Sequence, residues 1–111
     1  MMTLLQRMES ERLDKGERLR QQTRERLRQV LQELLPHERI IVFGSLTRPG
    51  RFCRASDIDL ALEGEPQGIS LYQLISLIAE RLERRVDIVL LAESRLADKI
   101  RREGETWTLP D

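Results

Sequence analysis

Apolar positions change their period several times along this chain, and each change marks an element. From Glu17 onward Leu27, Val30, Leu31, Leu34 and Leu35 recur every three or four residues, which predicts an amphipathic helix. Acidic and basic residues alternate on its other face, the ordinary pattern of a solvated surface. Pro36 and His37 end it. Upstream, Met1 to Lys15 is charged, with scattered Leu and Met. Either the helix starts near Thr3 and tolerates Gly16 at a cost of about 1 kcal/mol relative to alanine, or residues 1–16 form a frayed leader. In the first case Leu4, Leu5 and Met8 lie beyond the core, where a partner can cover them. Ile40 to Phe43 is a short β-branched run, a strand signal. Asp57-Ile58-Asp59-Leu60-Ala61-Leu62 alternates with period two and predicts a second strand. Gly64 to Gly68 is a loop, and Ser70 is placed to cap a helix whose buried stripe is Leu71, Leu74, Ile75, Leu77, Ile78 and Leu82. Val86 to Leu91 is apolar except for Asp87 and reads as a buried strand. Glu93 to Arg102 predicts a last helix with Leu96 and Ile100 inward and Gly104 as its stop. Trp107 and Leu109 are expected to fold back onto the core.

The order is therefore helix, strand, strand, helix, strand, helix. It predicts an α/β (α+β) fold: a small mixed three-stranded sheet flanked by helices. Residues 1–16 are a helical extension or leader and residues 17–111 the domain. A helix between the second and third strands implies a right-handed crossover between parallel neighbours. Both strands then begin at the same edge of the sheet, so Asp87 arrives beside Asp57 and Asp59. A lone acid in a core strand is costly unless it has a partner or a metal.

The candidate chemistry lies between Ile40 and Leu60. Gly44 allows a sharp turn and close approach of a ligand, because it has no Cβ. If Ser45 to Arg48 opens a helical turn, its free N–H groups form an anion site, and phosphate is the usual occupant. Asp57 and Asp59 share one face of their strand and repel each other unless a cation intervenes. Magnesium favours carboxylate and phosphate oxygens together. A phosphate cradle beside a carboxylate pair is the equipment for metal-assisted transfer to or from a nucleotide. Each residue also has a plainer reading. Asp57 suits a turn, Asp59 an exposed strand position, and Asp87 an ion pair with Arg84 or Arg85. Arg48, Arg51 and Arg54 divide between phosphate contact and solvation. His37 reads as a helix-end residue, Cys53 as inert, and Tyr72 as packing or a self-modification target.

Gly44-Ser45, the basic loop, Ser56-Asp57-Ile58-Asp59-Leu60 and the later Asp87 together resemble the signature of the DNA polymerase β-like nucleotidyltransferases. Within them the chain is similar to the minimal, MntA-like nucleotidyltransferases of prokaryotic HEPN–MNT toxin–antitoxin pairs, over roughly Glu17 to Trp107. One departure is visible: eleven residues separate Ser45 from Asp57, with Pro49 between Arg48 and Gly50, where the minimal group commonly has ten. The difference bears on the loop's shape more than on the chemistry. The resemblance implies a Mg²⁺-dependent enzyme with two ions that moves AMP from ATP to a hydroxyl. Asp57, Asp59 and Asp87 are then catalytic and metal-binding, and Gly44, Ser45 and Arg48 bind phosphate. The implied acceptor is a tyrosine of a HEPN-type RNase toxin, with this chain as its antitoxin. Two alternatives stand beside it: an antitoxin that neutralises by binding alone, and the catalytic subunit of a small-molecule nucleotidyltransferase.

Length and composition narrow the classes. With 111 residues there is material for one core. Lys+Arg and Asp+Glu both number 19, so no basic excess marks a general nucleic-acid binder, although a local basic patch stays compatible. The single cysteine cannot form an internal disulfide, and a reducing cytoplasm is the expected setting. No membrane span or signal peptide is expected.

Overall fold

The computed structural model describes residues 1–110. Helix α1 (Leu4–Leu34) is one unbroken element that passes straight through Gly16. Thr3 and Gln6 close a capping box at its start, each satisfying a backbone N–H of the other. Nothing in α1 is buried before Arg20, and Leu4, Leu5 and Met8 are exposed. A helix of 31 residues is about 46 Å long, which accounts for most of the molecule's 55 Å longest dimension. Its first three turns therefore stand clear of the core, which α1 meets from Gly16 and Leu19 onward.

Strand β1 (Arg39–Phe43) follows, then a short 3-10 turn at Gly44–Thr47 and strand β2 (Ile58–Leu62). Helix α2 (Leu71–Leu82) carries a capping box between Ser70 and Gln73. It ends at Glu83, whose φ of 52° is the left-handed turn that terminates many helices. Strand β3 (Val86–Leu90), a second 3-10 turn (Leu91–Glu93), helix α3 (Ala97–Glu103) and strand β4 (Glu105–Thr108) complete the chain.

The sheet order is β3-β2-β1-β4. β2 and β3 are parallel, as the α2 crossover requires, while β1 runs antiparallel to both β2 and β4. The expected three-stranded sheet is thus corrected to four strands. Trp107 does fold onto the core, but as part of a strand that pairs with β1 in the register Ile40↔Trp107. Four residues with one buried side chain are too short to show an alternating signal. What places them is the free edge of β1 and the stop at Gly104.

One face of the sheet is covered by α1 and α2. Leu27, Leu31, Leu74 and Ile78 meet Ile40, Val42, Ile58 and Leu60 there, all essentially without solvent contact. The opposite face carries a smaller cluster, Ile41, Ala61, Leu91 and Ile100, under α3. Here a second expectation fails. The last helix begins at Ala97 rather than Glu93, because the chain first turns at Leu91–Glu93 and Ser94 accepts the Leu96 N–H at 3.1 Å. Leu91 takes the buried place, and Leu96, expected inward, is 59% exposed. Leu77, expected in the buried stripe of α2, lies at its exposed margin.

Arg24 binds Glu105 with two hydrogen bonds of 2.8 Å, and Arg28 lies 4.2 Å above the Trp107 ring. β4 is therefore held by packing and by cations from α1. Replacing Trp107 with alanine removes a buried ring and should lower unfolding free energy by about 3–5 kcal/mol, read as a fall in the urea midpoint.

Candidate active site

β1 delivers the site's first half. It ends at Phe43, and Gly44, with φ 79°, turns the backbone into the 3-10 turn. Thr47 donates its hydroxyl to the Gly44 carbonyl at 2.8 Å and tightens the turn. Leu46 anchors it from beneath with a fully buried side chain. The Leu46 carbonyl accepts from Arg20 Nη1 at 2.9 Å and from Arg24 Nη1 at 3.3 Å. Arg20 is itself 7% exposed and paired to Glu17, so α1 grips the turn through a charge held at both ends. The first N–H groups of such a turn have no partner within it and face outward.

β2 and β3 deliver the second half. Ile58 is buried on the α1–α2 face, so Asp57 and Asp59 on either side of it point the other way. Asp59 sits opposite Phe43 in the antiparallel register and opposite Asp87 in the parallel one. It lies between the glycine turn and the third acid. A side chain on Gly44 would run into the Asp59 carboxylate. The turn and the carboxylate therefore touch, and only glycine allows it.

The three acids feel one another. Asp59 is held above the usual carboxylate range, first by partial burial and then by the charges of Asp87 and Asp57. The plainer pairing of Asp87 with Arg84 is not formed. The Arg84 guanidinium is occupied by the carbonyls of Cys53, Arg54 and Ser56. Among the described residues no three His, Cys, Asp or Glu side chains close on one point tightly enough to hold a metal ion by themselves. Three mutually repelling oxygen donors at one strand edge nonetheless fit a hard divalent cation that takes its remaining ligands from water and phosphate.

Beside the turn is a cleft of about 410 Å³, lined by Phe43, Gly44, Ser45, Arg48, Arg51 and a wall from α3. Arg48 lies 3.7 Å from Glu103 across this cleft. Of the expected phosphate-binding residues, Gly44, Ser45 and Arg48 are together here, and Arg51 joins them. Arg54 instead faces a separate groove against α1. Lys99 of α3 and Leu96 just before it also line the cleft, Lys99 not singled out from the sequence and Leu96 expected in the core. Lys99 is one cation in a charged helix, indistinguishable from solvation. Leu96 does carry a signal, an apolar residue at helical spacing from Ile100, but the same spacing equally describes a core position.

The family model for polymerase β nucleotidyltransferases matches residues 25–107. The chain belongs to this family. The matched residues include Gly44, Asp57, Asp59 and Asp87. A solved toxin–antitoxin structure with AMP-PNP is similar at 28% identity, with TM-score 0.57, over 72% of this chain and 68% of that one. The MntA–HepT toxin–antitoxin structure is similar in fold at 23% identity, with TM-score 0.56, over 79% and 72%. No significant match is found among curated proteins. No helix among the described residues is long and apolar enough to cross a membrane.

Two outcomes are expected. Gly44→Ala forces a left-handed residue to carry a Cβ against Asp59, and should cost about 1–2 kcal/mol of stability and about 100-fold in nucleotidyl transfer. Asp59→Asn should act in the opposite direction on stability. A carboxyl whose value is raised by folding penalises the folded state once ionised. That penalty is absent below the ordinary value of about 3.9 and grows as pH rises through the raised one. Asp59 is half in solvent, so screening leaves about 0.5 kcal/mol, or ~2–4 °C in Tm. Metal-free Asp59→Asn should melt higher than wild type at pH 7 and match it near pH 3.

Proposed function

We propose that this nucleotidyltransferase transfers AMP from ATP to a hydroxyl, a tyrosine, of a HEPN-type RNase toxin, and thereby acts as its antitoxin. The observation that carries the chemistry is the placing of Asp59 between Gly44 and Asp87, which joins an anion-binding turn to a carboxylate cluster. Support for the partner is the similarity to a toxin–antitoxin structure with AMP-PNP, together with the resemblance of the sequence motifs.

In this reading the N–H groups at Gly44 and Ser45 hold the β- and γ-phosphates. Arg48 and Lys99 offset the charge of the departing pyrophosphate, and Arg48 exchanges Glu103 for phosphate when the nucleotide enters. Asp57 and Asp59 would hold two magnesium ions, and Asp87 would complete the one on the acceptor side. When bound, such ions stabilise the entering and leaving oxygens of an in-line displacement. Asp87 takes the proton of the attacking hydroxyl. The hydroxyl oxygen bonds to the α-phosphorus, the bond from that phosphorus to the bridging oxygen breaks, and pyrophosphate leaves. In this reading the partner supplies the acceptor hydroxyl.

Intact-mass spectrometry of a HEPN-type partner after incubation with this protein, ATP and Mg²⁺ tests the reading. A gain of one or more AMP units is expected, and none with Asp57→Asn or Asp59→Asn. Full modification by those variants would sink the carboxylates' role. An unmodified partner that is nevertheless bound and silenced would mean neutralisation by binding alone.

A further inference from the structure

The loop that departs from the family's usual spacing is also the loop that one side chain holds in place. Between Arg48 and Asp57 the chain has no regular structure. Its last part, Cys53–Ser56, is a tight turn in which Ser56 donates its N–H to the Cys53 carbonyl at 3.0 Å, and the Ser56 hydroxyl accepts from the Cys53 N–H at 2.9 Å. Three carbonyls of this turn converge on a single atom. Arg84 Nη1 donates to Cys53 O at 3.0 Å, Arg54 O at 3.0 Å and Ser56 O at 2.8 Å. The same guanidinium stacks 4.6 Å above the ring of Phe52, which is itself buried in the core.

Arg84 is delivered to this place by the left-handed residue Glu83 at the end of α2. The next residue, Arg85, accepts the Ile58 N–H at 2.9 Å through its carbonyl. The chain at 84–85 therefore holds both sides of Asp57: Ser56 through a guanidinium and Ile58 through a peptide. Asp57 precedes β2 and has no ladder bond of its own to fix it. Its backbone is positioned by what holds its two neighbours.

We propose that Arg84 is a positioning residue for Asp57. By gathering the three carbonyls it folds the eleven-residue connection so that the first carboxylate reaches the same strand edge as Asp59 and Asp87. This inference rests on the role given to Asp57 above. Arg84 gives its hydrogen bonds to backbone carbonyls and is not a catalytic group. It acts through the peptide units that lead into Asp57. One guanidinium nitrogen holds the three carbonyls while the plane of the group stacks on the Phe52 ring, and an ammonium has no plane to stack.

The test compares wild type with Arg84→Met and Arg84→Lys, both of which keep an unbranched side chain at this position. Three quantities are read. The first is amide hydrogen exchange, expected to quicken in residues 53–57 of Arg84→Met and to stay unchanged in β1 and α1. The second is Mn²⁺ affinity in the presence of AMP-PNP, measured by paramagnetic resonance without turnover, and expected to weaken about tenfold. The third is the transfer reaction, with kcat expected to fall about 100-fold while KM for ATP changes little, because the turn at Gly44 is untouched. Arg84→Lys should fall between the two on all three readings. Unchanged exchange and Mn²⁺ affinity in Arg84→Met would overturn the proposal. So would a uniform loosening of the whole domain in both variants, which would mark Arg84 as general packing. If wild type transfers no AMP to any HEPN-type partner, the functional reading fails. Exchange and Mn²⁺ affinity then still decide the positioning role.

Discussion

Everything in this molecule is arranged around a repulsion. Asp59 and Asp87 stand side by side because β2 and β3 are parallel and in register, and Asp57 lies just ahead of them. Like charges at adjacent strand positions oppose folding, and the Asp59 carboxyl is raised first by its burial and then by the charges of Asp87 and Asp57. The chain accepts this cost at one edge and recovers stability elsewhere. Ile58, Leu60 and Val42 are buried on the opposite side of the same strands, against α1 and α2. Period two does the sorting: alternate residues face the larger core, and those between turn to the site at Asp57 and Asp59 and to the smaller cluster under α3 at Ile41 and Ala61.

Arginine is the second theme. Sequence pattern treats the charged face of α1 as solvation, and for residues such as Arg7 and Arg18 it is. Arg20 and Arg24 are different: both donate to the Leu46 carbonyl beneath the glycine turn. Arg84 does the same for the loop before Asp57. In each case a guanidinium satisfies carbonyls that no helix or strand can satisfy, because they belong to the irregular backbone that shapes a site. Buried carbonyls need partners, and a donor from a distant element also ties that element to the loop. The two irregular segments of the site thus become extensions of α1 and of the end of α2.

How much of this was legible follows from the range of each interaction. Local signals read well. Thr3 and Ser70 cap the helices they precede, with Ser70 the expected cap of α2, and the crossover through α2 is enough to set Asp87 beside Asp59. Gly44, Ser45 and Arg48 were picked out by turn chemistry and motif, and they share one cleft. Long-range signals did not read. β4 exists because β1 has an unpaired edge, a fact about the sheet and not about Glu105–Thr108. Leu96 looked like core by period, yet a 3-10 turn at Leu91 shifted the phase of α3 and left it facing the cleft. Arg84 contacts residues 28 to 31 positions earlier, and nothing in its own neighbourhood announces that.

The charges of the site are separated, and the separation restricts what can bind. The carboxylates gather at the starts of β2 and β3, while Arg48, Arg51 and Lys99 line the cleft on the far side of the glycine turn. A simple anion would satisfy the cleft and be repelled by the strands. A simple cation would do the reverse. The ligand that suits both is an anion that carries its own cation, with the negative groups over the turn and the positive charge between phosphate and carboxylate. A metal-bound triphosphate has that shape of charge. The Arg48–Glu103 pair fits the same logic: a nearby carboxylate takes up part of the cationic charge, and the pair is weak and exposed, so a triphosphate can displace it.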